Sequence, residues 1–368
     1  MRSNLEFVFA NPYHGYRATV RTNSRGLRDD EVQVPKPRGV FRILLLGDSM
    51  TAGLEVAKQE TFEAVCEARL GGYGRVEVVN AGVRGYNVDN ILGFLQDEGL
   101  SYHPDVVVYL FVDNDLTGED RYQPTLSDLS RGFTLHGALR WLCAYSHIAF
   151  RVELVRQRLA LRGAVARHRS GRSRVGMSRG MLELVSTDRY ETERPFRCSS
   201  KRIARMAALC GHGGAVLLLA GMPQREVVDP ELQAWYAARL RPRGLNPDFD
   251  GVGRYLDWVA AQHGLERFDP VPTFRAELAR RGSFWFHMDS HLNALGHRLL
   301  GQLLAVRLER LAAFQKWRQA PTGGARHARR IDVPDRTGPR RPRPCSRWLP
   351  GTAGARGPER GSTGARRA

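Results

Sequence analysis

The stretch RILLLGDSMTAG, residues 42–53, places the hydroxyl of Ser49 directly after an apolar run. A serine becomes a nucleophile only when a base takes its proton and a third group steadies that base. Residues 284–297, FWFHMDSHLNALGH, supply both types: Asp289 and His291 stand two apart in a predicted loop before the last helix. In one arrangement His291 accepts the Ser49 proton while Asp289 holds the imidazole tautomer and balances the imidazolium. A tetrahedral intermediate then needs donors aimed at its oxyanion. The backbone N–H groups of Ser49 and Gly85, with the side-chain amide of Asn114, are the candidate donors, because each residue follows one of the first three apolar runs. Each also has a plainer reading. Asp289 and His291 sit where a helix cap belongs, Asn114 suits a turn, and Gly85 suits a position of positive φ. His287 is a second imidazole four residues before His291, and His297 falls inside the final helix, where a packed or surface role is expected.

The elements that must position these groups follow from periodicity. FRILLLGDS (41–49), VEVVNAGVRGYN (76–87) and PDVVVYLFVDNDL (104–116) are continuous apolar runs, as expected of strands covered on both faces in a parallel sheet. TFEAVCEARLGGYG and NVDNILGFLQDEGL, between them, carry apolar residues at helical spacing. The β-α-β-α-β order implies right-handed crossovers and a doubly wound α/β sheet. Downstream, KRIARMAALCGHGG and GVGRYLDWVAAQHG predict helices, AVLLLAGMP (215–223) a fourth strand, LERFDP (265–270) a short fifth, and residues 291–314 one last helix. In such folds reactive groups lie beyond the carboxyl ends of the strands.

The formal charge of +18 over 368 residues is concentrated rather than spread. Residues 316–368 hold 14 Lys and Arg against 3 Asp and Glu, and residues 118–200 hold 15 against 8. The rest is neutral overall, which speaks against the fold itself being a nucleic-acid binder. The organisation read from these shifts is an N-terminal extension packed on the core (1–40), a core in two pieces (41–117 and 201–315), a basic insertion (118–200) and a tail (316–368). The insertion, with a predicted helix near 147–168, would serve as a lid or substrate wall. The Arg/Gly/Pro-rich tail is predicted to be disordered. Cys66, Cys143, Cys198, Cys210 and Cys345 are widely spaced and odd in number, which argues against a disulfide framework or a zinc site. No apolar run reaches the roughly 20 residues that span a bilayer, and MRSNLEFVFANPYHGYR lacks a secretory signal pattern. The expected location is therefore the cytoplasm.

GDS (47–49), NAGVRGYN (80–87), NDL (114–116) and DSHLNALGH (289–297), in this order, resemble the four blocks of the SGNH or GDSL esterase/lipase superfamily. The resemblance covers roughly 40–117 and 210–312, and RTNSRGLRDDE (21–31) upstream is similar to bacterial members. It implies a flavodoxin-like three-layer α/β/α sandwich with a mostly parallel sheet, and a serine hydrolase that cleaves carboxylic esters, including O-acyl groups on carbohydrate, without metal or organic cofactor. By position it makes Ser49 the nucleophile, Gly85 and Asn114 oxyanion residues, and His291 with Asp289 the rest of the triad. The implied partner is a small-molecule or carbohydrate ester.

One departure stands out: the superfamily commonly has Gly-x-Asn-Asp in its third block, whereas Asp113 precedes Asn114 here. A carboxylate facing the site would oppose an oxyanion, although strand alternation would send Asp113 to the opposite face. Two other readings stay open: an O-acyltransferase in which a sugar hydroxyl replaces water, and a noncatalytic protein of the same fold that binds an anionic polymer through its basic segments.

Overall fold

The computed structural model describes residues 3–11, 14–116, 177–286 and 289–320. The expected helix near 147–168, most of the insertion, His287 and the tail beyond 320 lie outside them.

Two strands, β1 (Glu6–Asn11) and β2 (Tyr16–Arg21), form an antiparallel hairpin ahead of the main sheet. The main chain then runs β3 (Phe41–Leu46), α1 (Ser49–Ala52), α2 (Phe62–Leu70), β4 (Val76–Asn80), α3 (Val88–Asp97) and β5 (Val106–Phe111). Beyond the gap come α4 (Arg179–Ser186), α5 (Arg194–His212), β6 (Val216–Gly221), α6 (Arg225–Val228), α7 (Pro230–Leu240), α8 (Gly251–His263), β7 (Glu266–Phe268), α9 (Val271–Arg281), α10 (Ala294–Glu309) and α11 (Ala312–Gln319). β3 to β7 make one parallel sheet in the order β4-β3-β5-β6-β7. That is the flavodoxin-like order, in which strand order reverses between β3 and β5 and opens a crevice at their carboxyl ends.

β3 and β5 are buried on both faces, and alternate residues divide between two cores. Ile43, Leu45, Val108 and Leu110 pack with Phe62, Cys66 and Leu70 of α2 and with Leu300, Leu304 and Leu308 of α10. Leu44, Leu46, Val107 and Tyr109 pack with Ile91 and Leu95 of α3, Ile203 and Met206 of α5, and Tyr255 and Leu256 of α8. Helices therefore cover both faces, giving three layers. Met181, Leu184, Tyr190 and Phe196, from the segment expected to belong to the insertion, are buried in this second core, and residue 200 falls inside α5.

The expected single helix over 291–314 is two. α10 ends at Glu309, Leu311 takes an extended conformation, and α11 begins at Ala312. Leu311 and Phe314 stay buried across the break, so the apolar period continues through it. α6, α7 and α9 complete the layers without having been anticipated. Among the described residues no helix is long and apolar enough to cross a membrane, and no group of acidic, His and Cys side chains could hold a metal ion.

Candidate active site

Ser49 opens α1 immediately after β3, with Asp48 as its N-cap: Asp48 Oδ1 accepts from the Met50 N–H at 2.9 Å. Gly47 is required here, because a Cβ would collide with the Thr51 side chain. The turn after β4 locks onto this loop. The Val83 N–H donates to Gly47 O at 3.1 Å, the Asn80 amide donates to Thr51 O at 2.9 Å, and a Cβ on Gly82 would run into the backbone of Thr51 and Ala52. The upstream RTNSRGLRDDE stretch braces the same loop from the other side. Arg28, 2% exposed, donates its guanidinium to the carbonyls of Ala52, Gly53 and Val56, and Asp29 Oδ2 accepts from the Asn80 N–H at 2.8 Å.

His291 arrives from the loop between α9 and α10, which is folded back on itself. Its carbonyl accepts from Phe286 N–H at 3.1 Å, Trp285 bridges to Leu292, and the Trp285 indole N–H donates to Pro223 O at 3.2 Å. The result brings three of the expected residues together: His291 Nε2 lies 2.9 Å from Ser49 Oγ, and His291 Nδ1 lies 2.6 Å from Asp289 Oδ1. Asp289 does not cap the helix; Asn293 does, accepting from the Gly296 N–H at 3.0 Å.

Burial by itself would depress the His291 imidazole, but its hydrogen bond to Asp289 and the negative charges of Glu55 and Asp289 outweigh this and raise it. Burial works against Asp289 as an anion too, yet the hydrogen bond and charge of His291 hold its carboxyl down at about 2. Asp48 is pushed up to about 6 by burial, against the Met50 N–H and the charge of His291, which favour its anion.

Gly85 sits in a turn closed by Tyr86 N–H to Val83 O at 3.0 Å and has φ +81, so its glycine character answers a backbone need. Asn114 donates its amide to Asp48 Oδ2 at 3.1 Å and to Tyr86 O at 3.2 Å, tying the ends of β3, β4 and β5 together. Closing the turn after β5 falls to Asp115, whose carboxylate accepts from the Val112 N–H at 3.0 Å.

The orientation of Asp113 is set differently from the expected alternation, and its charge still helps raise Asp48. The strand ends at Phe111 and a 3-10 turn spans Asp113–Asp115, so alternation does not apply. Asp113 instead accepts hydrogen bonds from Ser178 and Gln224, while Asn114 faces Asp48. The feature that motivated a noncatalytic reading is thus engaged with its own neighbours.

His297 is a core residue, as expected: 1% exposed, stacked on Phe62 at 5.8 Å, with Nδ1 accepting from the Phe62 N–H at 3.2 Å. Burial, with the charges of Arg28 and His291, lowers it to about 3. The neutral form therefore belongs to the folded state, and its contribution is fully present above the unfolded value near 6.5 and lost as pH falls toward the folded one. Urea titrations of the wild type and His297→Gln should show the wild type's advantage shrinking between pH 7 and pH 4 by on the order of 3 kcal/mol. A constant difference would contradict the assignment.

Two contributors were missed. The hairpin forms a wall of the site: Tyr16 stacks on Phe9 at 5.5 Å and meets Phe286 edge-on at 5.2 Å. Its phenol is pushed to about 12 by burial and by the charges of Asp289 and Glu55. The buried residues Tyr16, Ala18 and Val20 alternate with exposed Arg17, Thr19 and Arg21, so the period of two was there to read. The second is Glu55, 2% exposed, with Oε1 3.7 Å from His291 Nε2. Its only sequence signal was a lone acid in the apolar LEVA.

The model of the GDSL-like Lipase/Acylhydrolase family matches residues 45–299 of the chain. Among solved structures, TesA aligns at 17% identity and TM-score 0.41, covering 73% of this chain and 98% of its own. A lipase/acylhydrolase from Enterococcus faecalis aligns at 18% and TM-score 0.38, covering 73% and 95%. The acetyl xylan esterase AlAXEase aligns at 15% and TM-score 0.40, covering 72% and 98%. No curated protein matches the sequence. With more than half of its length matched by the family model, the chain belongs to the GDSL-like lipase/acylhydrolase family and is a hydrolytic, ester-cleaving enzyme.

Proposed function

We propose that the enzyme cleaves carboxylic esters through an acyl-enzyme on Ser49, with His291 as general base and acid and Asp289 as its orienting carboxylate. The observation that carries this is the single imidazole held between Ser49 Oγ at 2.9 Å and Asp289 Oδ1 at 2.6 Å. Ser49 Oγ attacks the acyl carbon as its proton passes to His291 Nε2, and the imidazolium is balanced by Asp289. That proton then goes to the leaving alkoxide. A water, deprotonated by the same nitrogen, attacks the acyl-enzyme and frees the acid. The oxyanion would be met by the backbone N–H groups of Ser49 and Gly85 and by the Asn114 amide, for which it competes with the Tyr86 carbonyl.

The substrate we infer is a short O-acyl ester of a polar alcohol such as a sugar. A cavity of about 390 Å³ is lined by Glu55 and Phe286 with the polar Arg17 and Glu60 and the apolar Val56 and Leu295. A long alkyl chain laid there would strip water from charged groups without replacing their contacts. On aryl esters of graded length and a panel of acetylated sugars, kcat/KM should be greatest at two to four carbons and fall about tenfold or more by eight. A rise with chain length would overturn the substrate reading.

A further inference from the structure

Glu55 is buried at the edge of the site. Both carboxylate oxygens are buried and accept no hydrogen bond from any other described residue. A carboxylate so placed is strongly disfavoured unless a charge offsets it. Two cationic groups lie closest, neither at hydrogen-bonding distance: His291 Nε2 at 3.7 Å and Arg84 Nη1 at 3.6 Å, the latter on a half-exposed side chain from the turn after β4; the buried Arg28 cation is also favoured by the charge of Glu55.

The place it occupies has a chemical meaning. Asp289 serves the Nδ1 edge of the imidazole, whereas Glu55 stands at the Nε2 edge, where the proton taken from Ser49 arrives. Resting on the triad reading above, we propose that Glu55 is a second positioning carboxylate, which stabilises the imidazolium formed on His291 and keeps its Nε2–H between Ser49 and the leaving group. Glu55 takes up no proton in the cycle; the proton moves from Ser49 Oγ to Nε2 and then to the leaving oxygen. The other groups facing His291 are Ser49 and Asp48 from the end of β3, Arg84, Asp289 from its own loop and His297 from α10, and Tyr16 of the hairpin lies within the field of Asp289 and Glu55. Of the carboxylates, Asp289 and Glu55 raise the imidazole most, the charge of His291 also favours the Asp48 anion, and Arg84 opposes the rise. Burial raises the Glu55 carboxyl, and the charge of His291 opposes this more than that of Arg84 does. Its negative charge and the imidazolium therefore favour each other, and the two titrate as a pair.

The sign is definite: removing a negative charge beside His291 lowers its pKa, so the acidic limb of the kcat/KM profile moves to lower pH. The test compares the wild type, Glu55→Gln and Arg84→Gln on 4-nitrophenyl acetate, with active sites counted by a fluorophosphonate. Glu55→Gln should move the acidic limb down by about one pH unit and reduce kcat about tenfold, with little change in KM. Arg84→Gln, on a half-exposed residue, should move the limb upward. Glu55→Gln keeps the shape of the side chain, so it should stay folded, and its melting temperature is read beside the profile. An unmoved limb, or a lower melting temperature with an unmoved limb, would overturn the proposal and leave Glu55 a structural residue. Failure of the wild type itself to label at Ser49 would instead remove the triad reading beneath it.

Discussion

Ser49→Ala is expected to lower kcat on a short aryl ester by about five to six orders of magnitude while the protein stays folded. The effect is that large because no neighbour can take over the attack. Met50, Thr51 and Ala52 are buried in α1, and Thr51 is wedged against Gly47. The alanine deletes one oxygen that is hydrogen-bonded to His291 and leaves intact the Asp48 cap and the Asn80 clamp that shape the loop. Far-ultraviolet circular dichroism and the melting temperature should therefore match the wild type. Turnover within a factor of ten of the wild type would mean that another group performs the attack.

Asp289→Asn should be the second-largest loss, about three to four orders of magnitude in kcat. The carboxylate accepts from His291 Nδ1 at 2.6 Å and from the His291 backbone N–H at 3.0 Å. Both contacts fall on one oxygen, Oδ1: an amide oxygen there keeps them without the negative charge, whereas an amide N–H₂ there gives up the backbone contact and leaves Nδ1 as an acceptor. The imidazole would then carry its proton on Nε2, facing Ser49, and could not act as base. The acidic limb also moves in a definite direction. His291 is raised in the folded protein, so activity in the wild type falls as pH drops through a value above the ordinary imidazole value near 6.5. Without the Asp289 charge that fall shifts to lower pH. A stopped-flow profile of kcat/KM between pH 4 and 9 checks both points. An Asp289→Asn enzyme within tenfold of the wild type would show that the imidazole is oriented by something else.

The residues of the candidate site were legible in the sequence where the proposed chemistry calls for a fixed type at a strand end. Ser49, Gly85 and Asn114 follow β3, β4 and β5, and the parallel sheet sets these ends side by side, so three short motifs far apart in sequence could be assembled on paper. Asp289 and His291 were found because two chemically distinct groups stood two apart before a helix. What stayed hidden depends on contacts that leave no periodic trace. Glu55 is one acid among apolar neighbours, and its proximity to His291 arises from a loop that Arg28 pins through backbone carbonyls. The break between α10 and α11 carries neither Gly nor Pro at 309–312, and its apolar residues keep the helical spacing. The orientation of Asp113 could not be derived from alternation, because the strand ends at Phe111 and a 3-10 turn begins at Asp113 itself.

The central claim, that Ser49 is activated by His291 and carries the acyl group, is tested most directly by covalent capture. The folded, esterase-active protein is treated with a fluorophosphonate and digested, and the modified peptide is sequenced by mass spectrometry, with His291→Ala treated in parallel. We predict one adduct, on Ser49, formed at least about a hundredfold more slowly in His291→Ala because the serine then lacks its base. An adduct on another residue, or active protein that takes none at Ser49, would contradict the account.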